Sequence, residues 1–162
     1  MPLLFWELHP CSRDAQLIRE LDLLPKYAVN THCHADHVTG TYLLKNEFPN
    51  IKSVISKSSG ALADKYLENE DILKFGAFEL LSMATPGHTN GCVSFVSHEM
   101  KSVFTGDTLM IRKCGRTDFQ EGNPEDLYNS VHEKIFVLAD DYIVWPGHDY
   151  KWFLKKILKL IV

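Results

Sequence analysis

Three histidines and a carboxylate, all able to ligate a metal ion, fall within six positions of the segment Thr31-His32-Cys33-His34-Ala35-Asp36-His37. Crowded imidazoles repel one another when protonated and forfeit hydration when buried neutral without partners. A metal ion resolves both conflicts by taking their lone pairs. Three further candidates stand in loops of similar make-up: His88 in Pro-Gly-His-Thr, Asp107 in Phe-Thr-Gly-Asp-Thr, and His148 in Pro-Gly-His-Asp. The glycine beside each lets backbone or substrate approach closely. A lone loop histidine is more often a surface or packing residue than a ligand. Beside the cluster the balance reverses, and at least three of His32, His34, His88 and Asp107 are expected to bind metal. His9, His98 and His132 have no such context and read as surface or packing residues.

Groups this close in space but far apart in sequence need strands that end together. Tyr27-Ala28-Val29 reads as a short strand delivering the chain into the histidine cluster. Before it, Ser12 is a plausible helix cap, with Asp14 in the first turn and Leu17, Ile18 and Leu21 on one face of a helix ending before Pro25. After it, Val38, Tyr42, Leu43 and Phe48 suggest an amphipathic helix stopped by Pro49, with Gly40 inside it. Residues Ile51–Ser56 read as a strand, followed by a Ser58-Ser59-Gly60 turn and a charged helical piece. Asp71–Phe75 and Phe78–Met83 form a hairpin about Gly76, and Cys92–Ser97 and Ser102–Thr105 a second one about His98-Glu99. Asn123-Pro124-Glu125-Asp126 is a helix start: a cap, a proline at the first position, then acids near the positive end of the dipole. Leu127, Val131 and Ile135 recur every four residues behind it. Tyr142–Trp145 is a last strand, running into His148. Short strands mixed with amphipathic helices give an α/β (α+β) layered domain, taken as one domain over residues 1–162.

The bulk properties fit that reading. The chain has 162 residues, 45% hydrophobic and 23% charged, with a formal net charge of −4. A chain of this length can bury about 70% of its extended surface. Nothing in the charge suggests nucleic acid as a partner, which would need a basic stripe. Cys11, Cys33, Cys92 and Cys114 show no paired spacing and read as free thiols of a reducing compartment. No apolar run is long enough to span a bilayer. The N-terminal residues carry no recognisable targeting signal.

The pattern His32-x-His34-x-Asp36-His37, with Gly87-His88, Gly106-Asp107 and Gly147-His148, resembles the metallo-β-lactamase superfamily. That resemblance implies an αββα sandwich, two sheets face to face between helical layers, with the metal site at one sheet edge. Within the superfamily, the stretch from Ala28 to His37 and Gly115-Arg116-Thr117-Asp118-Phe119-Gln120 are similar to the persulfide dioxygenase (sulfur dioxygenase) branch. Val131–Phe136 and His148-Asp149-Tyr150 agree, and the likeness runs from Ser12 to Tyr150. It implies an oxidoreductase of sulfide catabolism that oxidises glutathione persulfide with O₂ to sulfite and glutathione. It also implies one Fe(II) per chain held by His32, His88 and Asp107, a triad with positions left for O₂ and the persulfide. His34, Asp36, His37 and His148 would then orient the ligands or mark a second metal position.

By the same resemblance Arg116 is the clamp for glutathione, since a guanidinium forks onto a carboxylate. Asp149, Tyr150 and Thr89 join it at the substrate. The plainer alternatives are an Arg116–Asp118 surface pair and a packing role for Cys114. The nearest rival in the superfamily is hydroxyacylglutathione hydrolase (glyoxalase II), with zinc or mixed metals in a binuclear site bridged by Asp107. Its second-site residues Asp36, His37, Asp107 and His148 are all present, so the segment Gly115–Gln120 is what favours the dioxygenase. The likeness implies the mitochondrial matrix for a eukaryotic chain and the cytoplasm otherwise, expects no membrane partner, and leaves a homodimer open.

Residues 1–11 and 151–162 have no counterpart in the resemblance. The expectation is a sandwich lacking N-terminal strands and a C-terminal helical region, with one sheet edge unpaired. Lys151, Lys155 and Lys159 would share one face of a basic terminal helix, which either covers exposed core or meets a membrane surface. A third functional reading follows: a truncated, catalytically silent form.

Overall fold

The computed structural model describes residues 4–5, 11–34, 40–148 and 156–157. His9, Asp36, His37, Asp149, Tyr150 and most of the basic tail lie outside them.

Two sheets carry the fold. The first has the order β1 (Leu4–Phe5), β2 (Tyr27–Val29), β3 (Lys52–Ser56), β4 (Lys65–Leu67), all parallel. The second is six-stranded, in the order β10 (Lys156–Ile157), β9 (Ile143–Pro146), β8 (Ser102–Gly106), β7 (Val93–Ser97), β6 (Phe78–Ala84), β5 (Ile72–Phe75). Its strands are antiparallel except for β8 and β9, which run side by side in the same direction.

Side-chain alternation along the strands sorts the apolar residues into three layers. Val29, Val54 and Leu67 of the first sheet meet Leu73, Phe75, Leu80, Val93 and Phe95 of the second, forming the core between the sheets. Each odd partner turns outward. Ala28, next to Val29, packs with Ile18 of α1 (Cys11–Glu20) and Leu44 of α2 (Thr41–Glu47). Val96, next to Phe95, packs with Val103, Val144, Val131 and Ile135. The last two belong to the six π-helical residues Ser130–Ile135 that continue α3 (Pro124–Asn129). Helix, sheet, sheet, helix is the expected αββα sandwich.

Several expectations shift. Ser12 lies inside α1, not at its cap. Gly40 is the residue that caps α2. The buried face of α2 is Thr41 and Leu44, while Tyr42 and Leu43 are exposed, so the expected apolar stripe was turned toward the wrong side. The charged piece after Gly60 is not helical: it delivers β4, whose Leu67 is buried in the intersheet core. Pairing with β3 there outweighs the local helical tendency of a charged segment. At the termini, Leu4–Phe5 and Lys156–Ile157 each pair for two residues with β2 and β9. Lys156–Ile157 is therefore strand where a terminal helix was expected. Among the described residues, no helix is long and apolar enough to cross a membrane.

Candidate metal centre

Strand ends deliver every described ligand candidate to one rim of the sandwich. His32 follows β2, where Asn30 N–H donates to Val54 O (2.9 Å) and Val93 N–H to Thr31 O (2.9 Å), tying the loop to both sheets. His88 lies between β6 and β7. Asp107 and His148 follow β8 and β9, adjacent parallel strands, and Gly147 N–H donates to Gly106 O (2.9 Å).

The α3 region fixes the His88 loop from outside. Asn123 caps the helix by accepting from Glu125 N–H and Asp126 N–H, and its own N–H donates to Gly87 O (2.8 Å). Ser130 Oγ donates to Pro86 O (2.7 Å) and Lys134 Nζ to Ala84 O (2.6 Å). Glycine is required by contact at Gly106 and Gly115 among others. A Cβ on Gly106, which has φ +51°, would lie 2.3 Å from Thr31 Oγ1; one on Gly115 would lie 2.6 Å from His88 Cγ and Nδ1.

The ligating atoms of His32, His34 and His88, all buried, lie within 4.8 Å of one another. His88 Nε2 faces His34 Nδ1 at 2.9 Å, and Asp107 Oδ2 lies 3.6 Å from the same Nε2. On the far oxygen, Asp107 Oδ1 meets His148 Nδ1 at 2.6 Å. His88 Nδ1 sits 2.7 Å from Arg116 O, which can only accept, so this nitrogen carries the proton and Nε2 keeps its lone pair. Thr31 Oγ1 lies 3.1 Å from His32 Nδ1. Burial works against ionisation of Asp107. The His148 hydrogen bond leads the effects that outweigh it and hold the carboxyl below the usual carboxylate range. Three imidazoles converging with an ionised carboxylate form a nitrogen–oxygen donor set that fits a transition metal.

The structure thus gathers His32, His34, His88, Asp107 and His148, with His34 as close to the centre as His32 and His88. Asp36, His37, Asp149 and Tyr150 lie outside the described residues. Thr89 is buried, and its hydroxyl meets Cys92 Sγ at 3.2 Å, closing the His88 turn. The Arg116 side chain is exposed and forks onto Asp118, donating from Nε at 2.8 Å and Nη2 at 3.1 Å. Its backbone carbonyl, by contrast, orients His88. The sequence reading passed over Thr31, Gly115 and Phe119 as individual site residues. Only their place in the two motifs could have signalled them. Cys33, Cys92 and Cys114 are thiols outside any disulfide, as expected. His98 bonds to the Tyr142 hydroxyl at 2.5 Å and His132 stacks on Tyr128 at 4.1 Å, both packing roles.

The fold and the histidine rim together define a class: the chain belongs to the metallo-beta-lactamase superfamily, whose family model matches residues 7–148. Within it, the chain is 56% identical over 146 residues to the human mitochondrial persulfide dioxygenase ETHE1. That match covers 90% of this chain and 58% of the relative. It is 36% identical over 126 residues to a hydroxyacylglutathione hydrolase of Dictyostelium discoideum, covering 74% of this chain and 46% of that one. The crystal structure of ETHE1 from Myxococcus xanthus superposes with a TM-score of 0.86 at 37% identity, over 91% of this chain and 64% of that one. The chain therefore spans about half the length of these two curated relatives.

Proposed function

We propose that the chain carries the catalytic centre of an iron-dependent persulfide dioxygenase acting on glutathione persulfide. One observation carries the reading: 56% identity over 146 residues to a persulfide dioxygenase, against 36% to a hydroxyacylglutathione hydrolase. In the reaction the outer sulfur gives up four electrons, O₂ takes them, water supplies the third oxygen of sulfite, and glutathione leaves. Bound iron supplies a redox-active centre at which O₂ and the persulfide sulfur can meet. His32, His88 and Asp107 hold it, His34 stands beside them, and His148 keeps Asp107 ionised and aimed.

Arg116 receives a carboxylate of the glutathione moiety. Its present partner, Asp118, does not oppose this strongly. Both side chains are more than 60% exposed, so solvent screens the pair and little is lost on parting it. A substrate carboxylate can exchange for Asp118 at little cost. Thr89 serves by holding the His88 turn, and Asp149 and Tyr150 complete the pocket in this reading. The mitochondrial location in the human relative's name is carried over on the same ground, and residues 1–162 are taken as one domain.

The test is oxygen uptake by iron-reconstituted protein. Consumption that requires both Fe(II) and glutathione persulfide, with sulfite as product, is expected. Folded, iron-bound protein that leaves O₂ untouched overturns the reading. The 2.6 Å Asp107–His148 contact keeps the hydrolase as a second reading, because it sets another metal-competent nitrogen beside Asp107. About two metal ions per chain with anaerobic turnover of S-lactoylglutathione would favour it.

A further inference from the structure

His88 and Asp107 stand at the ends of strands that are not neighbours. In the order β8, β7, β6 the middle strand holds the outer two about 10 Å apart, two strand spacings, so no ladder hydrogen bond sets one ligand against the other. Yet His88 Nε2 and Asp107 Oδ2 are only 3.6 Å apart. One tie between them runs through the backbone of Gly115 and Arg116. Gly115 N–H donates to Asp107 O (2.7 Å), and Arg116 O holds His88 Nδ1.

A second tie is made of buried hydroxyls. Thr85 just past β6, Ser94 in β7 and Thr108 just past Asp107 are each no more than 1% exposed. Thr85 Oγ1 lies 3.0 Å from Ser94 Oγ and 3.1 Å from Thr108 Oγ1, and Thr108 Oγ1 donates to Thr85 O (3.1 Å). A hydroxyl has one proton to give, and a carbonyl can only accept. Thr85 O therefore takes the Thr108 proton, Thr108 Oγ1 accepts from Thr85, and Thr85 Oγ1 accepts from Ser94. The result is a one-way chain from Ser94 through Thr85 to Thr108, ending on the backbone three residues before His88. The turn about Asp107 follows Thr108 closely: Thr108 N–H donates to Thr105 O (3.1 Å) and Thr105 Oγ1 to Leu109 O (2.6 Å). Valine would fill a buried threonine's space with no polar group to satisfy. Volume does not explain these hydroxyls; what they join does.

We propose that Thr108 and Thr85 are positioning residues for the metal centre: their mutual hydrogen bonds set the His88 loop against the Asp107 loop across β7, so that both ligands reach one ion. This rests on the reading of His88 and Asp107 as ligands of that ion. Ser94 feeds the chain but lies outside the link between the two loops.

The experiment is a Co(II) titration without substrate, on wild type, Thr108→Val, Thr108→Ser, Ser94→Ala and Asp107→Asn. It is read by visible absorption and by competition with a chelating dye, beside thermal unfolding of the metal-free proteins. Thr108→Ser keeps the hydroxyl and is expected to bind as wild type does. Thr108→Val is expected to bind about tenfold more weakly, with an altered ligand-field spectrum; this is the low end of what outer partners contribute, because the Gly115–Arg116 tie remains. Ser94→Ala also removes a buried hydroxyl, and should lower the unfolding temperature while cobalt affinity and spectrum stay unchanged. If Thr108→Val does not fold, Thr85→Val, which breaks the same link, decides. Wild-type affinity and spectrum in the folded valine variant overturn the inference, as does equal loss in Thr108→Ser or in Ser94→Ala. Wild type that binds no cobalt, or Asp107→Asn that binds it as tightly as wild type, removes the ligand reading and this inference with it. The expected ranking in cobalt without dioxygenase activity in iron-reconstituted protein would count against the proposed reaction alone.

Discussion

At the scale of single residues, the centre depends on atoms with no slack. Gly115 has none: a methyl group there would sit 2.6 Å from the His88 ring and 2.7 Å from Asp107 O. Gly115→Ala should therefore cost about 1–3 kcal/mol by overpacking and lower metal content, seen by thermal unfolding and elemental analysis of one preparation. Asp107→Asn keeps the shape and removes the negative charge, so tight iron binding should be lost while the fold persists. Arg116→Lys replaces a flat fork by a point charge while leaving the backbone carbonyl on His88. Its expected signature is a raised KM for glutathione persulfide with unchanged metal content. A silent Arg116→Lys would mean that the guanidinium holds no substrate carboxylate.

At the scale of elements, a single carboxylate joins α2, β3 and β4. Asp64, just before β4, accepts from Lys45 Nζ (2.6 Å), Ser53 N–H (2.7 Å) and Ser53 Oγ (2.8 Å). The Lys45 bond, then the Ser53 amide and hydroxyl, hold its carboxyl well below the usual range. A depressed folded pKa means stability that is present above the unfolded value near 4 and is lost as pH falls toward the folded one. The unfolding midpoint of wild type should drop as acid is added below pH 4, and Asp64→Asn should flatten that limb. Removing the side-chain cap in Asn123→Ala should cost about 1 kcal/mol by thermal unfolding, while the backbone N–H that holds Gly87 O remains.

Elements also show where sequence reading works. β2, the two hairpins of the second sheet and the Asn123 helix start were legible because alternation, turn glycines and capping are local signals. The charged stretch that becomes β4 was not, since only its parallel pairing with β3, outside the segment itself, makes it a strand. The orientation of α2 was misread for a similar reason: Leu44 is buried by Ile18 and Ile51, which the helix's own pattern does not encode. The metal-competent residues were legible from type and spacing. Their support was not, because Thr31 under His32 and Phe119 on His34 are contacts between segments. Nor did sequence show that Arg116 acts through its carbonyl, an atom every residue has.

At the scale of the whole molecule, the centre bridges the two sheets. His32 and His34 come from the first, and His88, Asp107 and His148 from the second. A metal ion therefore ties the sandwich together across its rim. Binding only to the native state at 100 times its dissociation constant adds about 2.7 kcal/mol, so chelation should lower the denaturant midpoint measurably. Phe95→Ala, in the core between the sheets, should cost about 3–5 kcal/mol with the metal site left intact in sequence. Comparing the two variants of treatment, chelator and cavity, separates rim from core.

The sheet order has a bearing on biosynthesis. The histidines of the first sheet leave the ribosome early, yet every partner they need is encoded after β6. Domains fold as units, and the core between the sheets needs Val93 and Phe95 of β7 as well as Val29 and Val54 of the first sheet. The early histidines therefore find their places only once the later half of the chain has been made, and the site closes with the fold.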